Sequence, residues 1–326
     1  MKRSWLAVVI GVLVLVSGFR VLAQTDTVKQ YTAQNLDWHV QATIDYQAGA
    51  KGANLFLSAA ADAEGHIYVA NYSNVLIVDG KTGNTVGTIV DKSGTIQQYS
   101  DVATTNDGNL WIADNRSKVY QVDANGNILT IVSFHTSPGF SDERNPSTLE
   151  TDQDGNLYVS YGGFGVFFQI FSPDGEYIRS IITGADKIQG VGHFTFAPDG
   201  TLYILGNGVG WISEEGGQAV VHEFAPEFMA EQQFIQYKGL VIDAEGNIYF
   251  SAGSDPDLGL SIFKLNKEGT LVGQYGQGQE RKNWSNAFGV DELGHTLSLA
   301  LDADGALIIA DTNNSYSQLI KINMQD

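Results

Sequence analysis

One phrase recurs six times in this chain and constrains its fold more than any other feature. A polar turn ending in glycine is followed by one residue and then a short apolar strand. The turns are Asp62–Gly65, Asn106–Gly108, Asp152–Gly155, Pro198–Gly200, Asp243–Gly246 and Asp302–Gly305. The strands that follow are His66–Ala70, Asn109–Ala113, Asn156–Ser160, Thr201–Leu205, Asn247–Ser251 and Ala306–Ala310. The glycines at 65, 108, 155, 200, 246 and 305 are spaced by 43, 47, 45, 46 and 59 residues. A repeat of roughly 45 residues with several strands per unit is the pattern of a β-propeller. Glycine suits the turn because one residue there takes a positive φ, and the preceding Asp can bond the turn backbone.

Each unit reads as four strands. In the second they fall near 100–105, 109–114, 118–123 and 127–133, with Asp123–Gly126 turning into the last. Related turns stand at Ser172–Gly175 and Asn266–Gly269. One such unit cannot bury both faces, whereas six packed around an axis can. The sixth unit has strands near 296–302, 306–311 and 317–323 and then stops. The missing fourth strand has a candidate at the other end: Trp38–Asp45 alternates in the right way. The expected fold is all-β, a six-bladed propeller closed by an N-terminal strand that completes the last blade and removes exposed edges.

The first residues read as a cleavable secretory leader, 1–23, with Lys2 and Arg3 before the apolar run Leu6–Val16 and Val21–Ala23 at the cleavage site. Residues 24–36 are then a lead-in, and 37–326 a single propeller domain. This expects a secreted or periplasmic protein with no membrane span in its mature chain. The absence of cysteine removes disulfides, thiolate metal sites and a cysteine nucleophile. A leader with three basic and no acidic residues takes the formal charge from −19 to −22 when it leaves. So acidic a surface repels phosphate backbones, and nucleic acid is not an expected partner.

These residues resemble the NHL-repeat propellers over about 38–323. More distantly they resemble the senescence-marker-protein and gluconolactonase family, which shares the six-bladed ring. The resemblance implies the architecture; activity has to be argued from the site.

In such a ring, the second-to-third and fourth-to-first connections share one face. Two of them are long: Ser133 to Pro146, with His135 and Arg144, and Gly276 to His295, with Trp284. Long loops on a rigid scaffold often carry function. Shorter loops add Asn71, Asp114 and Asn313, while blades three and four place Tyr161, Phe164 and Trp211 among glycines, where a ring could stack on a flat ligand. Seven residues before each blade glycine stand Ser58, Asp101, Thr148, His193, Gly239 and Ser298, the expected channel top. Glu150 lies two positions further down and Lys238 near the rim. The candidate ligand-binding set is therefore Asp101, Glu150, His193, Lys238, Tyr161, Phe164, Trp211, Arg144 and Trp284.

The sequence requires no cofactor, and two resemblances imply a metal. The gluconolactonase resemblance implies a divalent ion such as Ca²⁺ at the channel top. Here Ser147 stands where that family places an Asn ligand, and Lys238 where it places an Asp. A protonated Lys cannot ligate a cation. A likeness to the peptide-amidating lyases implies Zn²⁺ on three histidines, for which His135, His193 and His295 are the candidates. The Asp-x-Asp-Gly turns at Asp152 and Asp302 read as hairpin turns rather than calcium loops, since no terminal Glu follows. The favoured expectation is a non-enzymatic binding scaffold for a protein, peptide or glycan. A metal-dependent hydrolase or lyase on the same face is the alternative.

Overall fold

A computed structural model describes residues 28–44, 55–114, 116, 118–136, 144–161, 166–183, 187–215, 218–283, 285–289, 291–294 and 296–325. Its strands form six antiparallel blades, each running from an inner to an outer strand. Blade one comprises Ser58–Ala61, His66–Asn71, Asn74–Asp79 and Thr85–Ile89. Blade two comprises Tyr99–Thr104, Leu110–Asp114, Lys118–Val122 and Ile128–Ser133. Blade three comprises Pro146–Thr151, Leu157–Tyr161, Val166–Phe171 and Tyr177–Thr183. Blade four comprises His193–Phe196, Leu202–Leu205, Val209–Glu215 and Gln218–Glu223, and blade five Gln236–Ile242, Ile248–Gly253, Ser261–Leu265 and Leu271–Tyr275.

Blade six takes Thr296–Leu301, Leu307–Thr312 and Tyr316–Ile322 from the C-terminal end. Its outer strand, Leu36–Thr43, comes from the N-terminal end and pairs antiparallel with Tyr316–Ile322. Trp38 shows how fully this strand substitutes for a local one. Elsewhere the third-to-fourth turn of one blade packs on the outer strand of the blade before it, as Gly175 does on Thr130 and Val132. Gly83 of blade one packs on Trp38 in the same way, and a Cβ there would lie 2.8 Å from the indole. The indole Nε1 donates to Gly80 O at 3.0 Å.

There is no single core. Six apolar clusters each fill the gap between two neighbouring blades. Each blade therefore depends on its neighbours for burial, as repeat architectures require. The recurrent Asp turns are structural. Asp152 accepts the amides of Asp154 and Asn156 through one oxygen and the Asn156 side chain through the other. Asp243 repeats this with Glu245 and Asn247.

Two features lay outside the sequence reading. Lys29–Tyr31 adds a fifth strand to blade five, parallel to Leu271–Tyr275, and the Tyr31 hydroxyl donates to Met324 O at 2.7 Å. A short helix, Pro226–Gln232, joins blades four and five, with Pro226 in its first turn and Met229 turned into the core.

Candidate functional site

The inner strands surround a cavity of about 220 Å³ on the ring axis, lined by Ser58, Asp101, Thr148, Glu150, His193, Thr195 and Ser298 among others. Ser58, Asp101, Thr148, His193 and Ser298 are positions that the repeat spacing assigned to the channel top, and Glu150 lies two places further down; Thr195 was not among them. Gly239 fills the corresponding place on blade five at φ +50, and a Cβ there would come within 2.6 Å of the Leu299 side chain. The strand bulges at this point, between Lys238 and Leu240, and Lys238 is left exposed at the rim.

Several mouth residues also tie neighbouring blades together. Ser298 Oγ accepts from the Ala59 amide at 3.3 Å, joining blade six to blade one. The Ser58 hydroxyl bonds the Asp101 carboxylate, which also accepts the Leu149 amide at 2.6 Å. The Thr148 hydroxyl donates to Gly192 O at the start of blade four. One layer down, the Thr195 hydroxyl donates to Glu150 Oε1 at 3.3 Å.

The electrostatics of this layer are set first by burial. Desolvation pushes Glu150 up to about 8, and the nearby Asp101 carboxylate adds to it. Desolvation also raises Asp101 to about 6, against the bonds from Ser58, Leu149 and Val102 that favour its charged form. His193 is pushed down to about 4 by desolvation and by the positive charge of Lys238. The mouth thus presents a carboxyl pair that resists ionising together, beside an imidazole that stays neutral. Lys238 acts on His193 rather than on Glu150, whose charged neighbour is Asp101.

The remaining candidates disperse. Tyr161 is 3% exposed and packs edge-on against Phe134 at 5.0 Å, so its ring belongs to the core between blades two and three. That corrects its expected role as a stacking platform. Glycine neighbours in the sequence suggested an open loop, but the ring lies at a strand end facing another blade. Trp211 stands on the third strand of blade four and stacks on His222 at 3.8 Å, one face already covered. Arg144 is partly buried just before the inner strand of blade three. Phe164, Trp284 and His295 lie outside the described residues.

Of the metal candidates, His135 is exposed and stacks on Tyr177 at 3.9 Å, whereas His193 lines the channel. Among the described residues, no three His, Asp or Glu side chains converge to hold a metal ion. Ser147 and Lys238, the two positions matched to the lactonase family, are both exposed.

Polar residues at the ends of second strands do a job that the sequence reading missed. Asn71 accepts the Leu55 amide at 2.7 Å, Asp114 that of Gln97 at 3.2 Å, and Asn207 that of Gln189 at 2.8 Å. Ser160 and Asp311 accept from Thr148 and Gly294 in the same way. Each ties down the chain entering its own blade, which explains much of the polar character of these loops without a ligand. The available signal was a polar residue five to seven places after the blade glycine in each of these five repeats. The long loop before blade six is likewise held down: Asn313, after the second strand of blade six, donates to Gln279 Oε1 at 2.8 Å, and within the loop Glu292 accepts the Gly289 amide at 2.7 Å.

No family model matches this chain, and no curated protein matches it in sequence. Solved structures do match in fold. A gluconolactonase from Xanthomonas campestris is 15% identical, with 89% of this chain and 100% of that chain covered at a TM-score of 0.54. A streptogramin B lyase is 11% identical, over 87% and 98%, at 0.57. A protein of unknown function from Bacteroides caccae is 16% identical, over 73% and 85%, at 0.50. At such identities the likeness establishes the six-bladed propeller and leaves the activity open.

Proposed function

We propose that this chain is an exported NHL-type propeller acting as a non-enzymatic binding scaffold, with its ligand taken at the channel mouth. The observation that carries this reading is the polar cavity of about 220 Å³ on the ring axis, where Asp101, Glu150 and His193 meet on consecutive blades. A concave pocket with a few convergent polar groups and perturbed titrations is the usual form of a ligand site. Its size suits a small molecule or one projecting group of a peptide or glycan. Export rests on the leader-like first 23 residues. No helix among the described residues is long and apolar enough to cross a membrane.

The alternative is a metal-dependent hydrolase or lyase on the same face. It draws support from the names of two fold neighbours, while the residues at the matched positions, Ser147 and Lys238, do not supply metal ligands. Thermal unfolding of the mature protein against small polar compounds, peptides and glycans tests the binding reading, because a ligand of the native state raises apparent stability. A shift abolished by Glu150→Gln supports the channel mouth. A shift seen only with Ca²⁺ or Zn²⁺, accompanied by turnover of lactones, replaces it with the enzyme reading.

A further inference from the structure

Charge around the channel mouth is sorted by blade. Asp101 and Glu150 stand on blades two and three, and among the described residues neither has a cation against it. Their partners are hydroxyls and amides: Ser58, Leu149 and Val102 for Asp101, Thr195 and Thr151 for Glu150. Lys238 stands on blade five, exposed, and makes no ion pair among the described residues. His193, on blade four, lies between the two ends, and its ring has no protein hydrogen bond among the described residues. One mouth therefore holds an uncompensated acidic end and an uncompensated basic end, kept apart by a neutral imidazole. Burial makes the charged forms of Asp101 and Glu150 costly unless something neutralises them. The cavity of about 220 Å³ lies against Asp101, Glu150 and His193, and Lys238 stands at the rim beside it, near enough for its charge to act on His193.

We propose that this mouth takes a small zwitterion, with its ammonium between Asp101 and Glu150 and its anionic end toward Lys238. The proposal rests on the binding reading above and adds the ligand class. A protein whose formal charge is strongly negative would otherwise favour simple cations. Lys238 is what makes a doubly charged ligand fit better than an amine alone, since it repels a bare cation and attracts a carboxylate. With Glu150 pushed up to about 8, much of it is protonated at neutral pH. An arriving ammonium favours the carboxylate, so binding at pH 7 releases protons. His193, pushed down to about 4, stays neutral throughout and offers one donor and one acceptor.

The test is calorimetric titration of the mature protein with straight-chain ω-amino acids from glycine to 6-aminohexanoate. Matched n-alkylamines and n-alkanoates serve as singly charged controls, with glycerol, glucose and CaCl₂ alongside. One chain length should bind at least tenfold more tightly than its amine and its acid. Running the titration in buffers of different ionisation heat should reveal proton release at pH 7 that fades by pH 9. Lys238→Ala, at an exposed side chain, should bring the zwitterion down to the level of the amine. Glu150→Gln should abolish the proton release. Binding of glycerol or glucose with no preference for charge, lost in Glu150→Gln, overturns the zwitterion and leaves the binding reading standing. Binding of Ca²⁺ alone overturns both. Silence from every probe overturns the zwitterion, and the peptide and glycan screen then decides the broader reading.

Discussion

The Asp101 carboxylate on blade two accepts the Leu149 amide on blade three at 2.6 Å. One residue thus lines the channel mouth and ties two blades together. Asp101→Ala leaves that buried amide unpaired and should cost about 1–3 kcal/mol. Asp101→Asn keeps an acceptor and should cost less than half as much. Urea unfolding of both variants checks this; equal losses would remove the tie as the cause.

Stability should fall as the pH rises through the neutral range. Asp101, Glu150 and Asp311 have folded-state values raised to about 6, 8 and 7, chiefly by desolvation. The folded state therefore holds more protons than the unfolded chain between pH 5 and 9. The stabilisation is complete below the ordinary carboxylate range and is lost as each group ionises. Asp311→Asn should flatten the curve, with a relative gain on the order of 2 kcal/mol at pH 9. Melting temperatures measured from pH 5 to 9 decide the sign.

Ring closure should depend on Lys321 far more than on its exposed partner. Lys321 is 6% exposed and bonds Asp302 at 2.6 Å and Gly80 O of blade one at 3.1 Å. Lys321→Ala strands a buried carboxylate and should cost about 3–5 kcal/mol. Asp37 lies 3.6 Å from the same ammonium but is half exposed, so Asp37→Ala should cost less than about 1 kcal/mol. Denaturant midpoints of the two variants make the comparison.

The two N-terminal strands should differ sharply in importance. A chain beginning at Leu36 loses Lys29–Tyr31, the short turn Ala33–Asn35 and their bonds to Asn323, Met324 and Gln325, and should unfold cooperatively at a lower temperature. A chain beginning at Ile44 loses the outer strand of blade six and the Trp38 contact with blade one. It should lose cooperative unfolding and aggregate through the bared edge. Calorimetry of both truncations tests this.

Tyr161 was expected to stack on a ligand, and its burial reverses that prediction. Tyr161→Phe should leave binding unchanged, whereas Tyr161→Ala should destabilise by about 3–5 kcal/mol, as loss of a buried aromatic does. Binding lost in the phenylalanine variant would restore a ligand role.

The repeat made the blades legible. Expected strands in the second unit matched to within about a residue, and the segment Trp38–Asp45 was correctly sent to blade six, where the strand observed is Leu36–Thr43. The pairing of Lys29–Tyr31 was not legible, because three residues carry too little periodicity to show which edge they join. Nor was the Pro226–Gln232 helix, whose short run of residues is placed by Met229, Phe228 and Phe234 packing on blade five.

The channel set shows the same division. Sequence spacing alone put Ser58, Asp101, Thr148, His193 and Ser298 at the mouth, because each repeat position returns to the same place around the ring. Only the tertiary structure decided what those residues meet. Glu150 has Asp101 as its charged neighbour, Asn71 and Asp114 are engaged in tying down chain entries, and Tyr161 faces a neighbouring blade. A local repeat fixes where a residue sits within its blade. The twist and spacing between blades, set by six packed interfaces, determine which residue stands opposite it and how much water remains between them.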